Sequence, residues 1–368
     1  MSHLRILRLW GALLLTGALA TAPVCANGLS KEERRERALE AARVKDYPLR
    51  PWSEALTYQN EACRVVTNTD KDTARYIAQL MRFAQKKYRR IFHYDKEIPR
   101  IEVRAYRTQE EYVDAMRSLG ALGMQLAHTS GMFVQQDGER TIHVAYTDLH
   151  GPTAPTTVLL HEGTHLLVSL CVDFQLPEKD RRLFRGKPRT LSSVPLWLNE
   201  GLATFMEVSY YDGEDLVIGE INRSRLLQLQ HEMEHDRHVT LQELLQTPQS
   251  EFGTSHYASA WGLVYWFLYD KDEEKEDGKR AILVDYFDEC RKGFMDAPEW
   301  QFRKHFGETG PLFHVAWEKH IREEGYRAFL RLTIGEDPPE ERWEGWENTW
   351  REYILDLDPN DPRGGLDD

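Results

Sequence analysis

His161-Glu162-Gly163-Thr164-His165 sets two imidazoles four residues apart, with a carboxylate beside the first. On a helix four residues turn through about 400°, so both rings leave one face, roughly 6 Å apart along the axis. Two ring nitrogens so placed can meet one ion at about 2.0–2.1 Å each. Glu162 sits about 100° round the helix, poorly placed to ligate but well placed to take a proton from a metal-activated water. A second carboxylate comes from Glu200 in Trp197-Leu198-Asn199-Glu200-Gly201-Leu202-Ala203. Two His and one Glu leave a fourth position open on zinc, as hydrolytic rather than structural sites require. The residue types thus specify a Zn²⁺ site at His161, His165 and Glu200, with Glu162 as general base.

The elements that must carry these groups read as helices. Thr156 to Leu160 before the motif, and Leu166, Leu167, Val168, Leu170, Cys171 and Val172 after it, give the first helix an apolar setting. Pro155 can start it, since a first-turn residue loses nothing by lacking an N–H. Gly163 costs about 1 kcal/mol of helix propensity against Ala, which implies room made for substrate or a close strand. Leu198, Leu202, Phe205 and Met206 keep a helical period around Glu200, and a Glu in such a stripe must be paired or metal-bound. Glu207, seven residues on and nearly on the same face, is either a partner for a ligating histidine or an exposed helix end; the second is the simpler expectation.

The pentapeptide recurs at His231-Glu232-Met233-Glu234-His235. That copy lies in a polar run from Leu227 to His238, with Glu234 charged between its histidines, and no Asn-Glu-x-x-Ala helix follows it, although Glu243 is at hand. It is read as a solvated helix face.

The two segments together resemble the gluzincin metallopeptidases. Trp197 to Glu207 is similar to the third-ligand helix of the aminopeptidase-N-like branch, and the span from Glu61 to Arg327 resembles the peptidase-MA-like family of uncharacterised bacterial envelope proteins. The resemblance implies zinc on His161, His165 and Glu200, Glu162 as base, and a later tyrosine that donates to the tetrahedral oxyanion. Tyr257, in Ser255-His256-Tyr257-Ala258, fits that place; His256 is its rival, and a core aromatic is the plain alternative. Two features depart from the aminopeptidase-N branch. Its spacing between second and third ligands is shorter than the 34 residues here, where a basic insertion spans 177–189. Its amine-binding strand carries a Glu that Ser130-Gly131-Met132-Phe133-Val134-Gln135-Gln136 lacks. An endopeptidase is therefore expected rather than an aminopeptidase, with the strand free to pair along an extended peptide or protein substrate.

Residues 1–26 read as a secretory signal: Arg5 and Arg8, an apolar core from Leu9 to Ala22, and Val24-Cys25-Ala26 before the cut. Ala22-Pro23-Val24 suits lipidation of Cys25 poorly. No other run is long enough for a membrane span, so the mature chain is expected in the periplasm, envelope or medium. Cleavage leaves Cys63, Cys171 and Cys290, an odd set in which one Cys63–Cys290 bridge is conceivable. With 41% hydrophobic residues the chain can bury a sizeable core. Of the net charge of −13, −9 falls between Glu336 and Asp368, and nothing in the balance points to nucleic acid.

The expected fold class is α+β: a small mixed or antiparallel sheet lobe, then a mainly helical lobe, with the zinc helices between them in the zincin manner. Residues 27–60 are a charged helix or linker, 61–150 the α+β lobe, 151–335 the zinc helix and helical lobe, and 336–368 an acidic, largely flexible tail in which Trp343, Trp346 and Trp350 mark one short amphipathic helix. Strands are expected over 61–68, 101–106, 132–135 and 141–146, and helices over 70–92, 109–119, 221–235, 241–245, 257–269, 279–291 and 312–323. The expected function is exported, zinc-dependent peptide hydrolysis. Its rivals are a non-catalytic envelope binding protein on the same scaffold and a zinc hydrolase of a non-peptide substrate.

Overall fold

The computed structural model describes residues 30–48, 50–120, 129–136, 139–148, 151, 154–175, 190–270, 278–295 and 311–361. The signal segment 1–26, the insertion 177–189 and the last seven residues lie outside them. The fold is α+β, with a mixed five-stranded sheet in the N-terminal part and a mostly helical C-terminal part.

The sheet runs β1 (Leu56–Gln59), β2 (Cys63–Thr67), β3 (Ile101–Tyr106), β5 (Glu139–Ala145), β4 (Gly131–Gln136). β2, β3 and β5 are parallel, and antiparallel β1 and β4 form the edges. Helix α2 (Lys71–Ile91) joins β2 to β3, as a parallel pair demands. It is capped by Asp70, whose carboxylate accepts the Thr73 N–H at 2.7 Å. Alternation along the strands assigns the two faces. Val103, Ala105, Ile142 and Val144 pack into the main core, whereas Tyr106 and Ala145 meet Tyr112, Val113 and Met116 of α3 (Gln109–Ser118). The sheet begins at Leu56, before the lobe boundary expected at 61, because β1 folds back on β2 with Leu56 opposite Thr67. Nor is the preceding segment a loose linker: α1 (Lys31–Ala42) carries a Ser30 capping box, buries Ala38 and Ala42, and pairs Arg34 and Arg35 with Asp212 and Glu220.

Helix α4 (Ala154–Cys171) is apolar nearly all round, the mark of a central helix. It packs on β4 and β5, on α2, and on α5 (Leu196–Met206). The room left by Gly163 is taken not by substrate but mainly by Met81 of α2: a Cβ there would stand 2.8 Å from its Cε and 3.8 Å from Ile142 Cδ1. Beyond α5 come a β6–β7 hairpin (Tyr210–Tyr211, Leu216–Val217), which the helical reading of this region missed, then α6 (Arg223–Glu234), α7 (Leu241–Gln246), α8 (Thr254–Tyr269), α9 (Gly278–Arg291) and helices Pro311–Thr333 and Glu340–Asp356. The last contains the helix expected around the three tryptophans, but at 17 residues it is longer than expected and corrects the largely flexible tail. Trp343, Trp350 and Ile354 are buried against the helical lobe; beside them Glu347 accepts the Leu241 N–H and binds His238, and Arg351 binds Asp236, while the remaining charged residues are exposed. Cys63, Cys171 and Cys290 are buried and free, so the Cys63–Cys290 bridge does not form. No helix among the described residues is long and apolar enough to cross a membrane.

Candidate metal centre

His161 and His165 stand on consecutive turns of α4, and Glu200 faces them from α5. Their ligand atoms lie within 4.8 Å of one another. Each imidazole is oriented through Nδ1. His161 bonds the Glu207 carboxylate at 3.0 Å, and His165 bonds the Asn199 side-chain oxygen at 3.1 Å. With Nδ1 so engaged, both Nε2 atoms turn inward, 3.2 Å apart. Glu200 Oε2 lies 3.6 Å from one and 3.7 Å from the other. That oxygen is buried and has no hydrogen-bond partner among the described residues. A triangle with these three sides has its circumcentre about 2.0 Å from each corner, within the range of zinc–nitrogen and zinc–oxygen bonds. Two facing nitrogens and an orphaned carboxylate oxygen could hold a cation, and the donor set would suit a first-row divalent ion.

The electrostatics agree. Burial opposes a charge on His161, but the Glu200 and Glu207 carboxylates outweigh it and hold the ring's proton affinity up at about 10. Burial likewise opposes the charge on Glu200, yet His161 and His165 keep its carboxyl below the usual range. Positive charge is wanted at this point of the fold.

Glu162 leaves α4 about 100° round from His161 and near enough to act on its charge. Its Oε2 accepts the backbone N–H of Phe133 at 2.7 Å. The Ser130–Ala145 bond sets the ladder's alternation, so the N–H and C=O of Phe133 point away from β5 along the outer edge of β4. Gly131 permits this approach, since a Cβ there would fall 2.2 Å from Val158 Cγ1 and 3.3 Å from Glu162 Cγ. The base candidate therefore sits between the cluster and the outer edge of β4.

Tyr257 is brought to the same place by a close helix crossing. Gly201 lies against α8 so tightly that a Cβ would meet the Ala260 carbonyl oxygen at 2.6 Å. Tyr257 is one turn before Ala260, and Gly201 follows Glu200. Burial pushes the Tyr257 phenol up to about 12; the charges of Glu200, Glu162 and Glu207 add to this and the Arg225 guanidinium opposes it, so the hydroxyl stays a proton donor at neutral pH. His256 is not brought to the cluster. Its Nδ1 accepts the Gly253 N–H at 3.2 Å, closing the first turn of α8, and its ring lines an open cavity with Glu243 and Glu251.

Glu207 does close α5, as its C-cap, but it is half-buried rather than exposed: it partners His161, and Asn222 steadies its other oxygen at 3.4 Å. Sequence reasoning missed Asn199, the Phe133 N–H and Asn222. Only Asn199 had a signal, as a polar residue adjoining the ligand in an apolar helix. The second pentapeptide also draws His231, Glu234 and His235 within 4.8 Å, but all three are exposed and Arg237 donates to His231 Nε2 at 3.1 Å.

Residues 185–280 match a family model described as a protein of unknown function (DUF1570). The match takes in α5 with Glu200 and α8 with Tyr257 but stops short of the two histidines. No curated protein matches the chain.

Proposed function

We propose that this chain is an exported zinc-dependent peptidase of the gluzincin kind. The observation that carries the reading is the Glu200 oxygen, orphaned among the described residues, facing two inward Nε2 atoms, with the second carboxylate oxygen of Glu162 and the Tyr257 phenol nearby. Zinc held by His161, His165 and Glu200 would polarise the scissile carbonyl and acidify water. Glu162, fixed through one oxygen by Phe133, uses the other to take the proton of the attacking water and pass it to the leaving amine. Tyr257 donates to the developing oxyanion. The edge of β4 offers the Phe133 carbonyl, with Gly131 and Gln135 on the same alternation, to an extended chain. That strand has no carboxylate to hold a free amino terminus, which favours internal cleavage over aminopeptidase action. Export rests on the sequence of residues 1–26.

The test is a peptide library incubated with purified protein, with and without chelator, followed by zinc add-back. Hydrolysis lost and regained is the expected result. Glu162→Gln should keep one zinc per chain and slow turnover by about 10²–10⁴-fold. Undiminished turnover would remove Glu162 from the mechanism, and a fully metallated, inert wild type would point to a binding protein on this scaffold.

A further inference from the structure

One cation beside the cluster is not used by this chemistry. Arg225 stands in the first turn of α6, half-buried, with its guanidinium carbon 5.7 Å from the centroid of the Tyr257 ring. It forms no ion pair with any described residue, although three carboxylates lie close by. Those carboxylates face other groups: Glu207 bonds His161 and Asn222, one Glu162 oxygen bonds Phe133, and Glu200 lies 3.6 and 3.7 Å from the two imidazoles. Arg225 is therefore not serving as their counter-ion. Its position is fixed from both sides. Its backbone N–H bonds Asn222 Oδ1, the same Asn222 that reaches Glu207, and its head lies over Tyr257. A cation over an aromatic ring gains stacking energy yet leaves its N–H groups free to donate. A guanidinium so placed presents a planar fork matched to a carboxylate, and the positive end of α6 adds to its pull.

We propose that Arg225 anchors a carboxylate of the bound peptide and so makes the site selective for substrates with a negative charge next to the scissile bond. The inference rests on the peptidase reading. Two sources supply that chemistry, a free C-terminus or an Asp or Glu side chain. Bidentate pairing in a partly dehydrated cleft discriminates far better than surface charge does, so the preference should be at least tenfold. Arg225 is a specificity residue, and its contact with Tyr257 makes it a positioning residue as well.

The experiment uses one library of short blocked peptides made in two forms, free acid and C-terminal amide, each containing matched Glu and Gln members. Zinc-loaded wild type should cleave carboxylate-bearing members at least tenfold better than their neutral counterparts, chiefly through KM. The acid–amide and Glu–Gln comparisons identify the source. Arg225→Met should lose the preference, and Arg225→Lys should regain only part of it, since an ammonium cannot pair bidentately. An equal fall for charged and neutral peptides would show that Arg225 merely holds Tyr257 and would overturn the proposal, as would a wild type without preference. Equilibrium dialysis of the same library against Glu162→Gln, with and without Arg225→Met, reads the anchor without turnover. Retention of carboxylate peptides that depends on Arg225 supports the anchor even if no peptide is hydrolysed, whereas a preference that survives in Arg225→Met refutes it.

Discussion

The crossing of α5 and α8 at Gly201 sets the distance between a candidate ligand, Glu200, and a candidate oxyanion donor, Tyr257, and Gly201→Ala tests whether that distance matters. The added Cβ would stand 2.6 Å from the Ala260 carbonyl oxygen, 2.8 Å from Val264 Cγ2 and 3.0 Å from the Ala260 carbonyl carbon. Two of these three atoms are backbone, so no side-chain rotation relieves the contact. Restoring an ordinary carbon–oxygen separation of ~3.3 Å parts the helices by about 0.7 Å. The stability cost of such overpacking, about 1–3 kcal/mol, is offset by the roughly 1 kcal/mol that Ala gains over Gly in a helix. The net destabilisation should be about 0–2 kcal/mol. Chemistry is less forgiving: a displacement near 1 Å costs about 10²-fold, and a lost oxyanion donor about 10²–10³-fold. Turnover should fall about 10–100-fold, while zinc affinity stays within a few-fold, because α5 keeps its own packing on α4. Denaturant titration, competition with a chromophoric chelator and steady-state kinetics separate the three quantities. Turnover unchanged in a folded, fully metallated variant would refute the claim that this crossing positions Tyr257.

Glu207→Ala should weaken zinc binding by about 10–100-fold, and Asn199→Ala by the smaller end of that range, since the first removes a charge-assisted partner and the second a neutral one; equal affinities in chelator competition would contradict both. Burial, aided by Arg104, lowers the proton affinity of His143 from the usual 6.5 to about 4. Between those values the unfolded chain binds a proton that the folded chain refuses, so stability falls as pH drops through the window, by about 3 kcal/mol in all. His143→Gln should flatten that slope in unfolding titrations; an unaltered slope would clear His143. Trp350→Ala, at a fully buried ring against Gly262, should destabilise the fold by about 3–5 kcal/mol, and a loss below ~1 kcal/mol would show that helix Glu340–Asp356 adds little.

The sequence by itself determined the two histidines, their helix, the likeness of Glu200 to a third ligand and the order of sheet and helices, because each is set by local spacing: four residues on a helix, two on a strand, or one ionisable residue in an apolar stripe. Helix α2 and strand β3 fall within a residue of their expected bounds for that reason. The tertiary structure alone decided what lies at right angles to the chain. Glu207 and His161 are 46 residues apart, Phe133 and Glu162 are 29 apart, and neither pair leaves a periodic trace. His256 and Tyr257 are neighbours in sequence, yet a 100° turn of α8 gives one to a helix cap and the other to the cluster. The acidic run after Glu336 misled for the same reason. Composition counts charges without regard to their position on the helix, and Trp343, Trp350 and Ile354, with Glu347 and Arg351 bonded to the lobe, dock it.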